Sequence, residues 1–447
     1  MDSLPEHPSR SLEQRGRVGP LFGRFVRPIQ RFFDHEAAGG VVLLVSATIA
    51  LLAANSPFAT TYEQLRSTVI AVGIADWAFR FDVAALVNDG LMTLFFFVVG
   101  LEIKRELVCG ELRTLQRALL PAIAAAGGMI APALVYFALN ADGVGARGWG
   151  VPMATDIAFV IGCLSLLKGR VPRGLAVFVV ALAIFDDIGG IVVIALRYGT
   201  GLHLPALGVA FAIAAVLTLL NRASVGHWVV YTAGGIALWL ALQDSGIHAT
   251  LAGIVLGMMV PARAKRPARR VLDDLREHID SLGSELQGGE VAHIEERIEG
   301  LVPPLERFIR ALHPLQVYVI MPLFALLNAG VDVRGVQLGD LAGPIPLGIM
   351  LGLIVGKQVG IFATTFLAVK LGIARLPTGS SWRSLHGVCV LAGIGFTVAL
   401  FIAELAFAGH PEALGLAKVG ILLGSAFSGV AGYGLLRTMP HVRSTPQ

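Results

Sequence analysis

The chain has 447 residues, 55% of them hydrophobic, and only 15% are Asp, Glu, Lys or Arg. A soluble domain carries roughly 25% charged residues, so this chain lacks the charge to make a water-facing surface, and its mean hydropathy of +0.73 points the same way. Lys and Arg exceed Asp and Glu by 35 to 31, which gives no basis for a nucleic-acid partner and leaves the bilayer as the expected surroundings.

Residues 1–36 are polar and Arg-rich with no adjacent cleavage motif. They are expected to form a disordered cytoplasmic tail ahead of a retained first helix. A membrane domain then covers 37–437. Its apolar runs approach the roughly 20 residues that a bilayer core demands, at 37–57, 83–101, 118–139, 150–167, 174–197, 205–220, 227–241, 247–260, 313–330, 344–370, 385–407 and 416–436. The reading is therefore an all-α polytopic membrane protein with twelve transmembrane helices. Continuous rather than alternating apolar residues exclude a β-barrel. Between the first two spans, 58–82 contains a partly alternating stretch compatible with a small β-hairpin. Residues 261–312 form a long mixed-charge segment, read equally as one or two surface helices or as a solvated linker. A short tail, 438–447, closes the chain.

Charge mapping sets the orientation. With the first residues in the cytoplasm, the cytoplasmic segments hold 28 Lys or Arg and the periplasmic ones hold 6, Lys418 among them. That asymmetry is the positive-inside pattern, and it puts both termini in the cytoplasm. Cys109, Cys163 and Cys389 fall in or near apolar runs without ligand spacing and read as small hydrophobes.

Four ionisable residues interrupt the spans at similar depth: Asp156 in ATDIAF at 154–159, Asp186 and Asp187 in IFDDIG at 184–189, and Lys357 in GKQVGI at 356–361. Each costs about 2.5–3.5 kcal/mol at a helix centre on insertion scales. Coming from three spans, they imply one polar cavity. Three carboxylates cannot all pair with one ammonium, so pure structural pairing does not account for them. Neighbours on a helix diverge by about 100°, so Asp186 and Asp187 have different tasks, one facing a cation and the other a helix partner. Small hard cations favour carboxylate, carbonyl and water oxygens. A proton competes for the same carboxylate oxygens, and that competition suffices for antiport once access alternates.

Two spans look broken. The fourth carries Gly150, Pro152 and Thr155 beside Asp156, and the eleventh carries Gly393, Gly395 and Thr397 at its midpoint. Interruptions at corresponding places in two halves point to inverted repeats with a midplane ion site, and Asp156 and Lys357 suit the exposed helix ends. Close helix packing is the plainer reading of the glycines. Asp89 sits near one end of the second span, and Glu102, Lys104, Arg105 and Glu106 cluster at the other, as a cation funnel or an ordinary helix end. His248 begins the eighth span as a titrating or a capping group. Asn328 lines the cavity or caps.

Together VNDGLMTLFFFVVGLEIKREL at 87–107, VPMATDIAFVIG at 151–162, ALAIFDDIGGIVVIAL at 181–196, SGIHATLAGIVLG at 245–257, MPLFALLNAGV at 321–331, GKQVGI and GIGFTVALFIAELAF at 393–407 resemble the bacterial NhaA-type Na⁺/H⁺ antiporters. The resemblance runs in order from about residue 33 to 437. It implies that the fourth and eleventh helices are unwound and cross at mid-membrane, with an inner-membrane location. It also implies that Asp187 binds Na⁺ or Li⁺, that Asp186 carries a coupling proton and pairs with Lys357, that Asp156 compensates helix ends, and that Thr155 lies beside the site. pH sensing would involve Glu102, Arg105 and Glu106, and the 58–82 segment would join two copies in a homodimer. The family's glutamate ahead of the ninth helix is replaced by Ile309 here, with Glu306 one turn earlier, and Glu404 is an additional acid.

The expected function is an electrogenic, pH-regulated Na⁺(Li⁺)/H⁺ antiporter with no cofactor. It is not an enzyme, for no nucleophile–base or metal-ligand constellation is present. A crossed-helix symporter carrying an organic anion with Na⁺ is the alternative, but it needs polar substrate contacts where this core is aliphatic. Single cysteines at positions 5 and 445, in a background lacking the native three, are expected to label only with a membrane-permeant thiol reagent. Labelling of intact cells by an impermeant reagent would overturn the orientation.

Overall fold

The computed structural model of the chain describes residues 37–74, 77–167, 169–199, 201–223, 225, 227–262, 302–335 and 337–440. The expected N-terminal tail, the surface helices of the long loop and the last residues of the C-terminal tail lie outside the described residues.

Among the described residues the architecture is all-helical apart from one hairpin. Helix α1 (Ala37–Ala54) turns by 113° into the short α2 (Ala59–Ser67). Strands β1 (Val69–Ile74) and β2 (Trp77–Asp82) then pair antiparallel, with Val69 opposite Asp82 and Ile74 opposite Trp77. Helix α3 (Val83–Val108) follows, its first turn capped by the Asp82 carboxylate, which accepts from Ala85 N at 2.5 Å. Next come α4 (Leu115–Leu139), a 3₁₀ segment (Gly145–Met153) leading into α5 (Ile157–Leu166), α6 (Arg173–Arg197), α7 (Leu204–Arg222), α8 (Trp228–Asp244) and α9 (Leu251–Met259). Beyond the long loop lie α10 (Pro304–Asn328), the single turn α11 (Leu338–Leu341), α12 (Pro344–Lys370), α13 (Trp382–Leu391), α14 (Phe396–Ala406) and α15 (Pro411–Arg437).

Among the described residues, eight helices are long and apolar enough to cross a membrane, or up to ten if each of two bent pairs counts as one span. The expectation of twelve differs at identifiable places. Helix α8 has 17 residues and α9 only 9, so the 227–241 run is at the lower limit of a spanning helix and the 247–260 run is below it. The ninth apolar run starts earlier than 313, at Pro304. Its first three turns are amphipathic, burying Leu305 and Ile309 against Leu101 and Tyr231 while Arg307 and Arg310 stay exposed. A hydropathy window places such a stretch in the loop, although the helix is continuous.

Helix α6 is the most buried of the spanning helices and α7 the least, so the Asp pair sits in the protein interior and α7 faces outward. The main core joins Phe96, Leu182, Phe324, Leu353 and Phe401. A separate cluster of Ala210, Leu238, Leu242 and Leu251 ties α7, α8 and α9 together. That group is fastened to the rest where α9 meets α3 backbone to backbone: a methyl at Gly253 would overlap the Thr93 carbonyl and stand 2.8 Å from Phe97 N. Small residues allow this close approach where lipid provides no hydrophobic drive for helices to associate. Gly253→Leu is therefore expected to cost about 3 kcal/mol, the upper range for overpacking. A drop of several degrees in the melting temperature of the detergent-solubilised protein would register it, and an unchanged melt would refute the contact.

Candidate functional site

The site is built where two helices stop inside the protein. The 3₁₀ segment ends at Met153 and α5 begins at Ile157, leaving 154–156 extended. On the other side, α13 ends at Leu391 and α14 begins at Phe396, with a 44° bend between them. The two breaks touch: Asp156 N donates to Ile394 O at 2.7 Å. Each break leaves backbone groups without intrahelical partners, and side chains supply them. The Asp156 carboxylate accepts from Phe159 N at 3.2 Å with one oxygen and from Thr397 N at 3.0 Å and Thr397 Oγ1 at 2.5 Å with the other. One buried anion thus caps the positive ends of both α5 and α14.

The second charged centre joins α6 to α12. Lys357 is fully buried and its Nζ lies 2.7 Å from Asp186 Oδ2. The same ammonium donates to the Met153 carbonyl at the end of the 3₁₀ segment. Thr155 Oγ1 lies 2.7 Å from Asp186 Oδ2 and 3.1 Å from the Ala392 carbonyl, so it links the acid to both breaks. Asp186 Oδ1 is buried without a hydrogen-bond partner among the described residues. Lys357 directly follows a π-helical turn, Gly352–Gly356, whose extra residue shifts the helix register at that point.

Asp187 points elsewhere. With Thr155, Asp156 and Thr397 it lines a cavity of about 470 Å³ that runs to Glu102 and Arg105 on α3 and to His313 on α10. Asp186 and Lys357 are not on its wall. The adjacent carboxylates therefore face different partners, one open space and the other an ion pair. Arg105 also lies 3.6 Å from Glu106.

The remaining candidates are placed apart from this cavity. Asp89 is half-buried in a π-helical turn, Leu86–Leu91, where its carbonyl accepts from Thr93 Oγ1 at 2.5 Å. Next to it, Asn88 and the fully buried Asn328 exchange side-chain hydrogen bonds at 2.7 and 3.3 Å. His248 Nδ1 contacts Thr250 Oγ1 at 2.9 Å, and its ring stands edge-on to Phe401. Glu306 is in the first turn of α10 and half-buried, and Ile309 is packed in the core.

Three features escaped sequence reasoning. Ser425 on α15 accepts from both Gly395 N and Phe396 N at 3.2 Å, capping the second break. A serine in a membrane helix gives no signal of such a role without its distant partner. His313 lines the cavity, though the sequence presents it only as a helix-end histidine. Lys418, counted above as a periplasmic charge, is buried in α15 and paired with Glu404 at 2.6 Å. The additional acid and this base answer each other.

Interrupted helices meeting around buried, partly paired ionisable groups define a polytopic membrane protein of the secondary ion transporter type. The chain belongs to the Na⁺/H⁺ antiporter 1 family, whose model matches residues 30–436. It is 52% identical to the Na(+)/H(+) antiporter NhaA 1 of Myxococcus xanthus (strain DK1622) across 96% of this chain and 97% of that one. It is 51% identical to the Na(+)/H(+) antiporter NhaA of Anaeromyxobacter sp. (strain Fw109-5) across 98% and 97%. The solved structure of the sodium proton antiporter MjNhaP1 from Methanocaldococcus jannaschii at pH 8 covers 93% of this chain and 99% of its own, with a TM-score of 0.50 and 12% identity, a likeness of fold alone.

Ser425→Ala would leave two buried N–H groups unsatisfied, at about 1–3 kcal/mol. Ser428 Oγ, one turn along the same helix, is buried without a partner among the described residues, so Ser428→Ala is expected to cost nothing. Thermal melts of the two variants in detergent should differ by several degrees, and equal melts would refute the cap.

Proposed function

We propose that the chain is an electrogenic Na⁺(Li⁺)/H⁺ antiporter of a bacterial inner membrane, expelling Na⁺ against entering protons under pH control. The observation that carries this reading is the division of labour between Asp186 and Asp187. Asp187 borders the cavity, so an arriving Na⁺ meets its carboxylate first. A protonated Asp187 must release its proton to take the ion. Asp186 is held by Lys357 and Thr155 and offers its unpaired Oδ1 toward further charge. A cation beside it weakens the pair with Lys357, and a second proton leaves from that pair. Two protons against one Na⁺ carry net charge, so the membrane potential drives the cycle by about 2.3 kcal/mol per charge per 100 mV.

The family relationship supports the ion pair of substrates, since the named relatives are Na(+)/H(+) antiporters. The cavity lining supports a cation over an organic anion: Glu102, Asp156 and Asp187 outnumber Arg105 on its wall. Glu102, Arg105 and His313, placed along that wall, are the groups through which pH would set access. Glu106 beside Arg105 contributes to the local field.

Twelve crossings follow if α8 and α9 each traverse the bilayer with their flanking non-helical residues, and if the two bent pairs, α1 with α2 and α13 with α14, each supply one span. The contact between the two breaks is then the crossing of inverted repeats at mid-membrane. The two-stranded sheet supports a homodimer, because an isolated hairpin is marginally stable in water and its strand edges readily pair with another copy.

Asp187→Asn is expected to abolish Na⁺-driven proton flux in proteoliposomes, and Asp186→Asn to abolish or cripple it. Lys357→Ala should lower stability and shift the working pH range while retaining some exchange, because the ammonium steadies the site without touching the ion. Full activity in Asp187→Asn would refute the assignment. Wild-type flux indifferent to a clamped potential would refute the two-proton step while leaving antiport standing.

A further inference from the structure

The ion cavity has a polar group in its wall that neither its charged end nor the broken helices account for. Gln316 lines it from α10, one turn past His313. The side chain is only 8% exposed, and its Oε1 is buried without a hydrogen-bond partner among the described residues. A buried acceptor left in that state is costly.

The backbone at this point is also irregular. Gln316–Ile320 form a π-helical turn, closed by Met321 N donating to the Gln316 carbonyl, and such wide turns gather at functional sites. A regular helix spreads three consecutive side chains over about 200°, yet Gln316, Val317 and Tyr318 all border the cavity. Helix α10 is pinned here, because Gly39 of α1 packs against Val317 with no room for a side chain. The wide turn thus holds Gln316 at a fixed place on the wall.

That place lies on the path of an ion. Glu102, Arg105 and His313 stand at one end of the cavity, and Asp187 stands with Thr155, Asp156 and Thr397 at the other. Val99 lies one turn inward of Glu102, and Ile184 one turn short of Asp187. Between the ends, then, α3 and α6 offer an ion aliphatic surface. Small hard cations take amide carbonyl oxygens as ligands. The Gln316 oxygen is recessed in the wall, but the last torsion of a glutamine is soft, and a turn about it brings the oxygen out to an ion. An acceptor without a donor has the most to gain from that turn.

We propose that Gln316 is an entry ligand for the transported cation, its Oε1 coordinating Na⁺ or Li⁺ between the charged end of the cavity and Asp187. The inference rests on the reading of the chain as a Na⁺/H⁺ antiporter and adds a neutral oxygen to the path. Asp187 is still the first of the adjacent carboxylates that the ion meets, and Gln316 sets how readily the ion arrives there.

The test is cation-driven proton flux in proteoliposomes across a range of Na⁺ and Li⁺ concentrations, with melting temperature in detergent reporting whether each variant is folded. Gln316→Met keeps the length of the side chain and removes the amide. It should raise the KM for Na⁺ at least threefold while the maximal rate stays within twofold of wild type, and Gln316→Leu should match it. Gln316→Glu keeps an oxygen at the same reach in either protonation state, so its KM should stay at or below the wild-type value. Val319→Ala, at an exposed position of the same turn, should change neither parameter. A purely structural Gln316 predicts a different pattern: Gln316→Met removes an unsatisfied acceptor, so the protein melts no lower and its KM is unaltered. An unaltered KM in folded Gln316→Met and Gln316→Leu, or an equal rise in Gln316→Met and Gln316→Glu, would overturn the proposal. Absence of Na⁺-driven flux in wild type would instead remove the antiport reading, and this inference with it.

Discussion

Hydrocarbon gives no hydrogen bonds to a broken helix, and every backbone group freed inside the bilayer must find a partner within the protein. That constraint organises this molecule. Two helices are interrupted, and the ionisable side chains complete them: Asp156 takes amide hydrogens from α5 and α14, Lys357 takes the Met153 carbonyl, and Thr155 reaches the Ala392 carbonyl. The charges that are costly in lipid and the backbone ends that are costly in lipid compensate one another. Neither half of the arrangement would persist alone, since removing one partner of a buried pair leaves an uncompensated group.

The same economy leaves a remainder. Asp156 is fully engaged and Asp186 is engaged through one oxygen, while Asp187 opens onto the cavity. The interior thus grades from a fully hydrogen-bonded carboxylate to one that faces open space. Away from the site, Glu404 and Lys418 pair α14 with α15, and Ser425 holds the same two helices at the break two turns further along α15. These contacts fasten α14 to α15 at both ends, so any displacement of the second break carries α15 with it.

Legibility in the sequence followed distance along the chain. Asp186, Asp187 and Lys357 were readable because a charge in the middle of an apolar run is anomalous by itself. Asp156 was readable as an anomaly, but its double capping was not, because Thr397 is 241 residues away. Ser425 and Met153 act through ordinary groups that carry no local signal. Span length was readable where hydropathy and helix coincide and failed where they part. The start of α10 is amphipathic and reads as loop, α9 is an apolar run only 9 residues long as a helix, and Lys418 reads only as a periplasmic charge because nothing in its neighbourhood announces Glu404.

The π-helical turn at Gly352–Gly356 has a consequence for how this protein can change over evolutionary time. A residue inserted into or deleted from a helix rotates everything beyond it by about 100°. Here the extra residue lies immediately ahead of Lys357, whose ammonium must reach Asp186 on one side and the Met153 carbonyl on the other. A deletion in 352–356 that restored regular winding would turn either Lys357 away from α6 or the first half of α12 away from its packing face. Substitutions of similar size can accumulate in this segment, but its length is fixed, and a lineage that altered it would have to reposition the partner aspartate in the same step.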